Sequence, residues 1–89
     1  MRYTVLWAEE AEEQLAQLWL DTALRDGVTK GAYVVEASLA INPSEAGESR
    51  ASDRRIFITP PLVVDFEVHP ADRTVRVLQV RLMRNKNRG

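Results

Sequence analysis

The second half of the chain constrains the fold most, because three strand-like segments follow one another with only short turns between them. The segments span 54–59, 62–68 and 73–82, and they are rich in the β-branched and aromatic residues that favour strands. Pro60-Pro61 must lie in the first turn, since neither proline can donate a hydrogen bond to a β-ladder. Residues 69–72 form the second turn. Connections this short predict a three-stranded antiparallel meander.

The first half predicts a strand followed by a helix. Residues 2–7 are strand formers. A helical stripe follows at spacings of four, three, one and three, and it consists of Ala11, Leu15, Leu18, Trp19 and Thr22. The opening turns hold Glu9, Glu10, Glu12 and Glu13, whose carboxylates complement the helix dipole. These glutamates are therefore assigned a structural role.

A second helix is predicted after a break at residues 24–27. Asp26 is the expected cap. The stripe continues at Val28, Ala32, Val35 and Leu39. The helix should end near Ile41, because Asn42 precedes Pro43 and is pushed out of helical geometry. Residues 44–52 are polar and are predicted to form a loop.

Alternation along the strands predicts which residues face the helices. The helix-facing set is expected to contain Ile56, Ile58, Leu62, Val64, Phe66 and Val68. The opposite set is expected to contain Arg55, Phe57, Thr59, Val63, Asp65 and Glu67. The alternation slips at Val77-Leu78, which predicts a β-bulge or a strand buried on both faces, with Arg76, Gln79 and Arg81 on the open face. The predicted fold is α+β, of order β-α-α-β-β-β, with the helical hairpin packed on one face of the sheet.

Composition bounds the possible functions. Eighty-nine residues make one domain, expected over 1–83, and residues 84–89 form a basic C-terminal tail. The absence of cysteine excludes a disulfide scaffold, a thiol nucleophile and a cysteine zinc site, and no metal or cofactor is expected. No apolar run is long enough to span a bilayer, so a cytoplasmic protein without a membrane partner is expected.

Charge is distributed unevenly along the chain. Residues 1–45 carry 3 basic and 8 acidic side chains, whereas residues 46–89 carry 9 basic and 5 acidic ones. Such asymmetry is typical of a nucleic-acid surface, and it is equally typical of a solvated face followed by a basic tail. Charge alone leaves both interpretations open.

The chain resembles the RelE/ParE superfamily of bacterial toxins from type II toxin–antitoxin systems over nearly its whole length. Its opening, residues 3–15, is similar to the first strand of that family and the acidic start of its first helix. Residues 47–50, Gly-Glu-Ser-Arg, correspond to the family's glycine-containing loop. Arg54-Arg55-Ile56 followed by residues 61–68 resembles the family's middle hairpin, and residues 75–80 resemble its last strand. The combination carries the resemblance, since no one of these motifs is specific.

The resemblance implies a growth-inhibiting toxin that is neutralised by a cognate antitoxin. Nuclease members of the family cut messenger RNA on the ribosome, using the sheet face that the helices leave open. Their chemistry needs a base for the 2′-hydroxyl, cations for the phosphate and an acid for the leaving oxygen. The resemblance assigns Arg55, Arg81 and Arg84 as catalytic residues, and Arg50, Arg54, Arg76 and Lys86 as contacts to RNA or to another target. Solubility and ion pairing are the alternative explanation for each of these cations.

Several residues depart from the nuclease pattern. Val63 stands where many nuclease members have an arginine, and no tyrosine or histidine follows the last strand. Tyr3 and Tyr33 fall in the first strand and the second helix, and His69 falls in a turn. Asp65 and Glu67 would oppose phosphate binding, and they are expected to pair with Arg76, Arg81 or Arg55.

Three functions therefore remain open. The first is a ribosome-dependent endoribonuclease, whose partners are the ribosome and mRNA. The second is a toxin without chemistry of its own that binds a protein such as DNA gyrase. The third is a domain that has lost toxicity and binds only its antitoxin. In each case an antitoxin segment is expected to add a helix or strand across an apolar groove.

Overall fold

A computed structural model of the chain describes residues 2–43, 48–49 and 54–83. Strand β1 (Thr4–Trp7) leads into helices α1 (Glu9–Trp19) and α2 (Arg25–Ile41). The short strand β2 (Glu48–Ser49) precedes the meander of β3 (Arg54–Thr59), β4 (Leu62–His69) and β5 (Thr74–Leu82). A 3₁₀ turn, Pro70–Asp72, joins β4 to β5. The predicted α+β order is confirmed, with the addition of β2 inside the segment predicted to be a loop.

The sheet has the strand order β1-β5-β4-β3-β2. The meander strands are antiparallel to one another, as the short turns require, and β2 is antiparallel to β3. Strand β1 pairs parallel to β5, and Thr4 lies opposite Thr74. The first strand of the chain thus completes one edge of the sheet beside the last strand.

One face of the sheet packs against both helices and forms the core. The buried core comprises Ala11, Val28, Val35, Leu39, Leu62, Val64, Phe66, Val75, Val77 and Val80. Tyr3, Val5, Trp7, Leu15, Leu18, Phe57 and Val68 are partly buried around it. The helical stripes at Ala11 and at Val28, Val35 and Leu39 are therefore confirmed as core positions. We call this side of the sheet the covered face and the other side the open face.

Helix α1 begins without a side-chain cap, and Glu9, Glu10 and Glu12 occupy its first turn. That placement agrees with the predicted role of these carboxylates at the positive end of the helix dipole. The helix ends at Trp19, so Thr22 lies outside it, contrary to the predicted stripe. Trp19 is 43% exposed rather than part of the core.

Helix α2 begins one residue before the predicted cap. Leu24 occupies the N-cap position and makes no side-chain hydrogen bond, so Asp26 lies in the first turn and does not cap the helix. A Cβ built on Gly31 would lie 2.7 Å from Cδ1 of Leu62, and one on Gly27 would lie 3.2 Å from Cδ of Pro61. The two glycines therefore allow α2 to pass close to the β3–β4 turn. The helix ends at Ile41, as predicted.

Strand β5 contains the predicted β-bulge. Phe66 pairs with Val77 and Asp65 pairs with Gln79, so Leu78 has no partner on β4. The extra residue inverts the alternation along β5. It keeps Val75, Val77 and Val80 on the covered face, although their numbers differ in parity.

Helix α1 also supports the edge of β5. Pairing between β1 and β5 reaches only Trp7 and Val77. Beyond that point the amide N–H of Val80 donates to Oε1 of Gln14 at 2.7 Å. A helix side chain thus satisfies a backbone donor where the neighbouring strand has ended.

The predicted orientation of β3 is wrong. Arg55 pairs with Phe66 and Phe57 pairs with Val64, so both lie on the covered face. Ile56 pairs with Asp65 and Ile58 with Val63, which places the isoleucines on the open face. Thr59, predicted to face away from the helices, pairs with buried Leu62 and is also on the covered face. The reason is the two-residue turn at Pro60-Pro61, across which even-numbered residues lie opposite odd-numbered ones.

Candidate functional site: the open face of the sheet

The open face consists of cross-strand rows that centre on β4. Glu67 lies between Arg76 on β5 and Arg54 on β3. Asp65 lies between Gln79 and Ile56, and Val63 lies between Arg81 and Ile58. Residues directly opposite each other in adjacent strands have Cβ atoms about 5 Å apart, so each row is a set of neighbouring side chains.

The bulge at Leu78 determines which arginines reach this face. Arg76 and Arg81 differ in parity, and a regular strand would send them to opposite sides of the sheet. The extra residue between them places both on the open face, together with Gln79. The predicted sharing of the open face by these three residues is confirmed.

The end of the open face beside the β3–β4 turn is apolar, and its arginine is paired. Val63 lies beside Ile58, which is 54% exposed. The guanidinium Nη2 of Arg81 lies 3.0 Å from Oδ1 of Asp65, and the two side chains are 52% and 15% exposed. This ion pair, diagonal in the ladder, confirms that Asp65 pairs with a neighbouring arginine. It holds the guanidinium of Arg81 in place and offsets its charge.

A second polar group lies at the end of β4. Nε2 of His69 lies 3.2 Å from Oε1 of Glu67. His69 is the last residue of β4 rather than part of a free turn, so it has the same parity as Glu67 and lies on the open face. Arg54 and Arg76 lie opposite Glu67 in the two adjacent strands, but among the described residues the ion-pair partner of Glu67 is His69 and not the expected arginine. The group thus combines a carboxylate, an imidazole and two guanidiniums.

The sequence pattern did not predict this group, because β4 was expected to end at Val68. The signal was present in the alternation: His69 follows Glu67 at the two-residue spacing that places side chains on one face of a strand. Proline at position 70 marked the true end, since β4 stops immediately before it.

The predicted site residues divide into three sets. Arg54, Arg76 and Arg81 are brought together on the open face. Arg55 lies on the covered face opposite Phe66, so its backbone does not direct it toward the other three. Arg50, Arg84 and Lys86 lie outside the described residues.

Other kinds of site find little support in the described part of the chain. Within residues 2–43 and 54–83, no group of three or more His, Cys, Asp and Glu side chains could hold a metal ion. None of the helices described is long and apolar enough to cross a membrane.

Comparison of sequences finds no relative: no protein-family model matches the chain, and no curated protein matches it significantly. Comparison of folds finds similar solved structures. A chain of the toxin–antitoxin complex RelBE2 from Mycobacterium tuberculosis superposes with a TM-score of 0.73 at 18% identity, covering 92% of each chain.

Two further solved structures have a similar fold. A chain of the ParDE system from P. aeruginosa has a TM-score of 0.65 at 14% identity, covering 93% of this chain and 98% of that one. The isolated RelE toxin from E. coli also has a TM-score of 0.65, at 19% identity, covering 96% and 88%. The likeness extends over the whole strand–helix–helix–meander arrangement, and the chain therefore has the fold of the RelE/ParE superfamily toxins.

Proposed function

We propose that this chain is the toxin component of a type II toxin–antitoxin system, which inhibits growth and is neutralised by a cognate antitoxin. Its fold is that of RelE, and the RelBE2 and ParDE structures that it resembles are toxin–antitoxin assemblies. The sheet face left open by the helices carries three arginines and exposed isoleucine, which suits contact with a large target.

Binding without chemistry is the mechanism that the open face supports best. The observation that carries it is the end of the face beside the β3–β4 turn, where Ile58 and Val63 lie beside an Arg81 that is already paired with Asp65. A phosphodiester there would meet apolar surface, and it would meet the carboxylate of Asp65 in the next row. An apolar patch with arginine beside it and polar residues around it is instead typical of protein interfaces. A protein target such as DNA gyrase is therefore the first to test.

The test uses induced expression in a bacterial host. We expect Ile58→Glu and Val63→Glu to abolish growth inhibition, since each places a carboxylate in the apolar part of the proposed interface. Leu20→Glu is the matched control, because Leu20 is an exposed apolar residue that follows α1 and belongs to no strand. Circular dichroism checks that each variant is folded. Growth inhibition that survives both open-face changes would reject the proposed interface.

The target is then distinguished biochemically. In a supercoiling assay, purified gyrase should lose its activity in the presence of the wild-type chain. It should keep that activity in the presence of the Ile58→Glu variant. Unaltered supercoiling together with intact transcripts would point to another protein target.

An endoribonuclease is the second candidate, and the group at the end of β4 favours it. The carboxylate of Glu67 can act as the base that takes the proton of an RNA 2′-hydroxyl while the 2′-oxygen attacks phosphorus. His69, when protonated, has the chemistry to return a proton to the departing 5′-oxygen, which leaves a 2′,3′-cyclic phosphate and a 5′-hydroxyl. Arg54 and Arg76 lie on either side to hold the phosphate.

Mapping of transcript ends after induction tests this candidate. A nuclease that acts on the ribosome should produce cuts in phase with codons, and Glu67→Gln and His69→Ala should each remove them. Asp72→Asn is the matched control, since Asp72 lies in the following 3₁₀ turn. Growth inhibition without new transcript ends would exclude the nuclease.

The antitoxin is tested by thermal unfolding. A partner that binds only the folded chain stabilises it by about 4 kcal/mol when its free concentration is about a thousand times its Kd. Mixing with the product of the neighbouring gene should therefore raise the melting temperature by many degrees. An unchanged melting temperature at saturating partner would show that this product is not the antitoxin.

A further inference from the structure

The outer edge of β1 is a free strand edge. The amide N–H groups of Thr4 and Ala8 donate to carbonyl groups on the β5 side, each at 2.9 Å. Backbone groups alternate in direction along a strand, so the N–H and C=O groups of Val5 and Trp7 point away from the sheet. None of these backbone groups has a hydrogen-bond partner in the part of the chain that the structure describes.

Helix α2 closes this edge at Tyr3, whose outward N–H donates to the carbonyl of Ala40 at 2.7 Å. A cavity of about 450 Å³ lies beside it between β1 and α2, with Tyr33 and Ile41 in its lining. These two side chains are 75% and 61% exposed, and Leu6 of β1 is 51% exposed. The edge is therefore accessible and has apolar side chains around it.

Free sheet edges are usually protected against pairing with another chain. Charged residues, prolines, bulges and very short strands serve this purpose. Strand β2, at the opposite edge of the sheet, follows that rule, since it has two residues and the first is Glu48. Strand β1 is longer, has the sequence Thr-Val-Leu-Trp, and contains no charge, proline or bulge. Its edge is suited to pairing with another strand.

The free groups of β1 are complementary to themselves. In an antiparallel ladder, two residues that form a hydrogen-bonded pair exchange both of their N–H···O=C bonds. With Val5 opposite Trp7 of a second copy, every outward group of the two residues therefore finds a partner. Pairing Val5 with Val5 would use Tyr3, whose N–H is already bonded to α2. Pairing Trp7 with Trp7 would use Glu9, which belongs to α1.

This register places Leu6 on a two-fold axis. Leu6 then faces Leu6 of the second copy at a non-hydrogen-bonded position, where Cα atoms lie about 4.5 Å apart and side chains touch. Both leucines lie on the open face, because Leu6 is opposite Arg76. The register also brings Arg2 to the level of Glu10 of the second copy, at the acidic start of α1. Opposite charges thus meet at each end of the interface.

We propose that the chain forms a homodimer through its β1 edges, in which antiparallel pairing of Val5 with Trp7 joins two five-stranded sheets into one. A two-fold axis perpendicular to the sheet keeps both open faces on the same side. The row of Arg54, Glu67 and Arg76 continues through the leucines into the same row of the second copy. A large partner would meet both open faces at once, which raises its apparent affinity. The pairing itself does not depend on the proposed toxic activity.

Sedimentation velocity measures the dimer. Small interfaces are transient, so the mass should rise from monomer toward dimer as the concentration increases to about 500 µM. Leu6→Lys brings two ammonium groups together on the axis and should weaken the dimer about tenfold or more. Leu20→Lys is the matched control, because it makes the same change at an exposed residue that belongs to no strand. Circular dichroism checks that both variants are folded.

Disulfide cross-linking tests the register, because the chain has no cysteine of its own. Leu6→Cys places two thiols at facing positions, so oxidised glutathione should link the two copies rapidly. Thr4→Cys is the control, since Thr4 is also an exposed residue of β1 and has the same parity as Leu6. In the proposed register its two thiols lie about 14 Å apart along the strands, which is beyond the reach of a disulfide.

Three results would overturn the proposal. The first is a wild-type chain that stays monomeric over the whole concentration range, which would leave the edge to a strand of another protein. The second is equal dimerisation of Leu6→Lys and Leu20→Lys. The third is cross-linking of Thr4→Cys that is as fast as that of Leu6→Cys. Growth inhibition is not measured in either experiment, so failure of the proposed toxin function is distinguishable from failure of the dimer.

Discussion

The two faces of the sheet are built from the same alternating strands, yet they differ in what covers them. On the covered face Leu62, Val64 and Phe66 of β4 are fully buried beneath the helices. On the open face the intervening residues Val63, Asp65 and Glu67 stay half-buried among arginines and isoleucines. One strand thus supplies the core with one set of residues and a mixed apolar and charged surface with the other.

This difference indicates which residues carry the fold and which are available for function. Burial of an apolar side chain contributes roughly 1.5–3 kcal/mol, whereas an exposed ion pair contributes little. The covered face therefore carries most of the stability. Residues of the open face can therefore be replaced without unfolding the domain. Four measurements test this difference in stability between the two faces.

The largest effect is expected from Phe66→Ala. It removes a fully buried side chain from the covered face and should reduce the free energy of unfolding by about 3–5 kcal/mol. Ile58→Ala on the open face should cost less than about 1 kcal/mol, since that side chain is more than half exposed. Urea unfolding measures both. Equal losses would mean that the open face is also covered in solution.

A smaller loss is expected where α2 meets the covered face. Gly31→Ala brings a methyl group within 2.7 Å of Leu62 and should destabilise the fold by about 1–3 kcal/mol, despite the better helix propensity of alanine. Gly27→Ala, whose methyl group would meet only the ring of Pro61 at 3.2 Å, should cost less. Thermal unfolding of the pair checks the order. The reverse order would mean that α2 lies farther from the sheet.

Removal of Gln14 tests the support that α1 gives to the edge of β5. Gln14→Ala leaves the amide of Val80 without its acceptor and should cost about 1 kcal/mol. Hydrogen exchange at that amide should become faster than in the wild type. Gln17→Ala, an exposed neighbour on the same helix, should change neither quantity.

The smallest effect is expected at the open-face ion pair. A double-mutant cycle on Arg81→Ala and Asp65→Ala should give a coupling of about 0.2–1 kcal/mol that falls as salt is added. The same cycle on Arg76 and Glu67, which lie opposite each other, provides the comparison. A coupling of several kcal/mol at Arg81 would show that the pair is shielded from solvent, which would place it with the core.

Local patterns predicted the elements of this fold well. The 3.6-residue stripes located both helices, Pro43 ended α2, and the slip at Val77-Leu78 located the bulge. Each of these signals depends on residues a few positions apart. The predicted orientation of β3 was wrong because it depends on how a two-residue turn pairs Thr59 with Leu62. The prediction assumed that even-numbered residues face the same side before and after the turn, which inverted the strand.

The open-face site was predicted less completely than the fold. Arg54, Arg76 and Arg81 were expected among the site residues, but Arg55 was placed on the wrong face by the same parity error. The Glu67–His69 contact was missed because the end of β4 was set one residue too early. Parallel pairing of β1 with β5 joins distant parts of the chain, and neither strand's alternation specifies its partner.

That parallel pairing has a consequence for the order of folding. Strands β3, β4 and β5 contact neighbours along the chain, whereas Thr4 must find Thr74 from the other end of the molecule. Closing so long a loop is entropically unfavourable until other contacts have shortened it, so β1 should dock after the meander has formed. During synthesis β1 leaves the ribosome before β5 does. The finished sheet can therefore form only after β5, which ends at Leu82, has also left the ribosome.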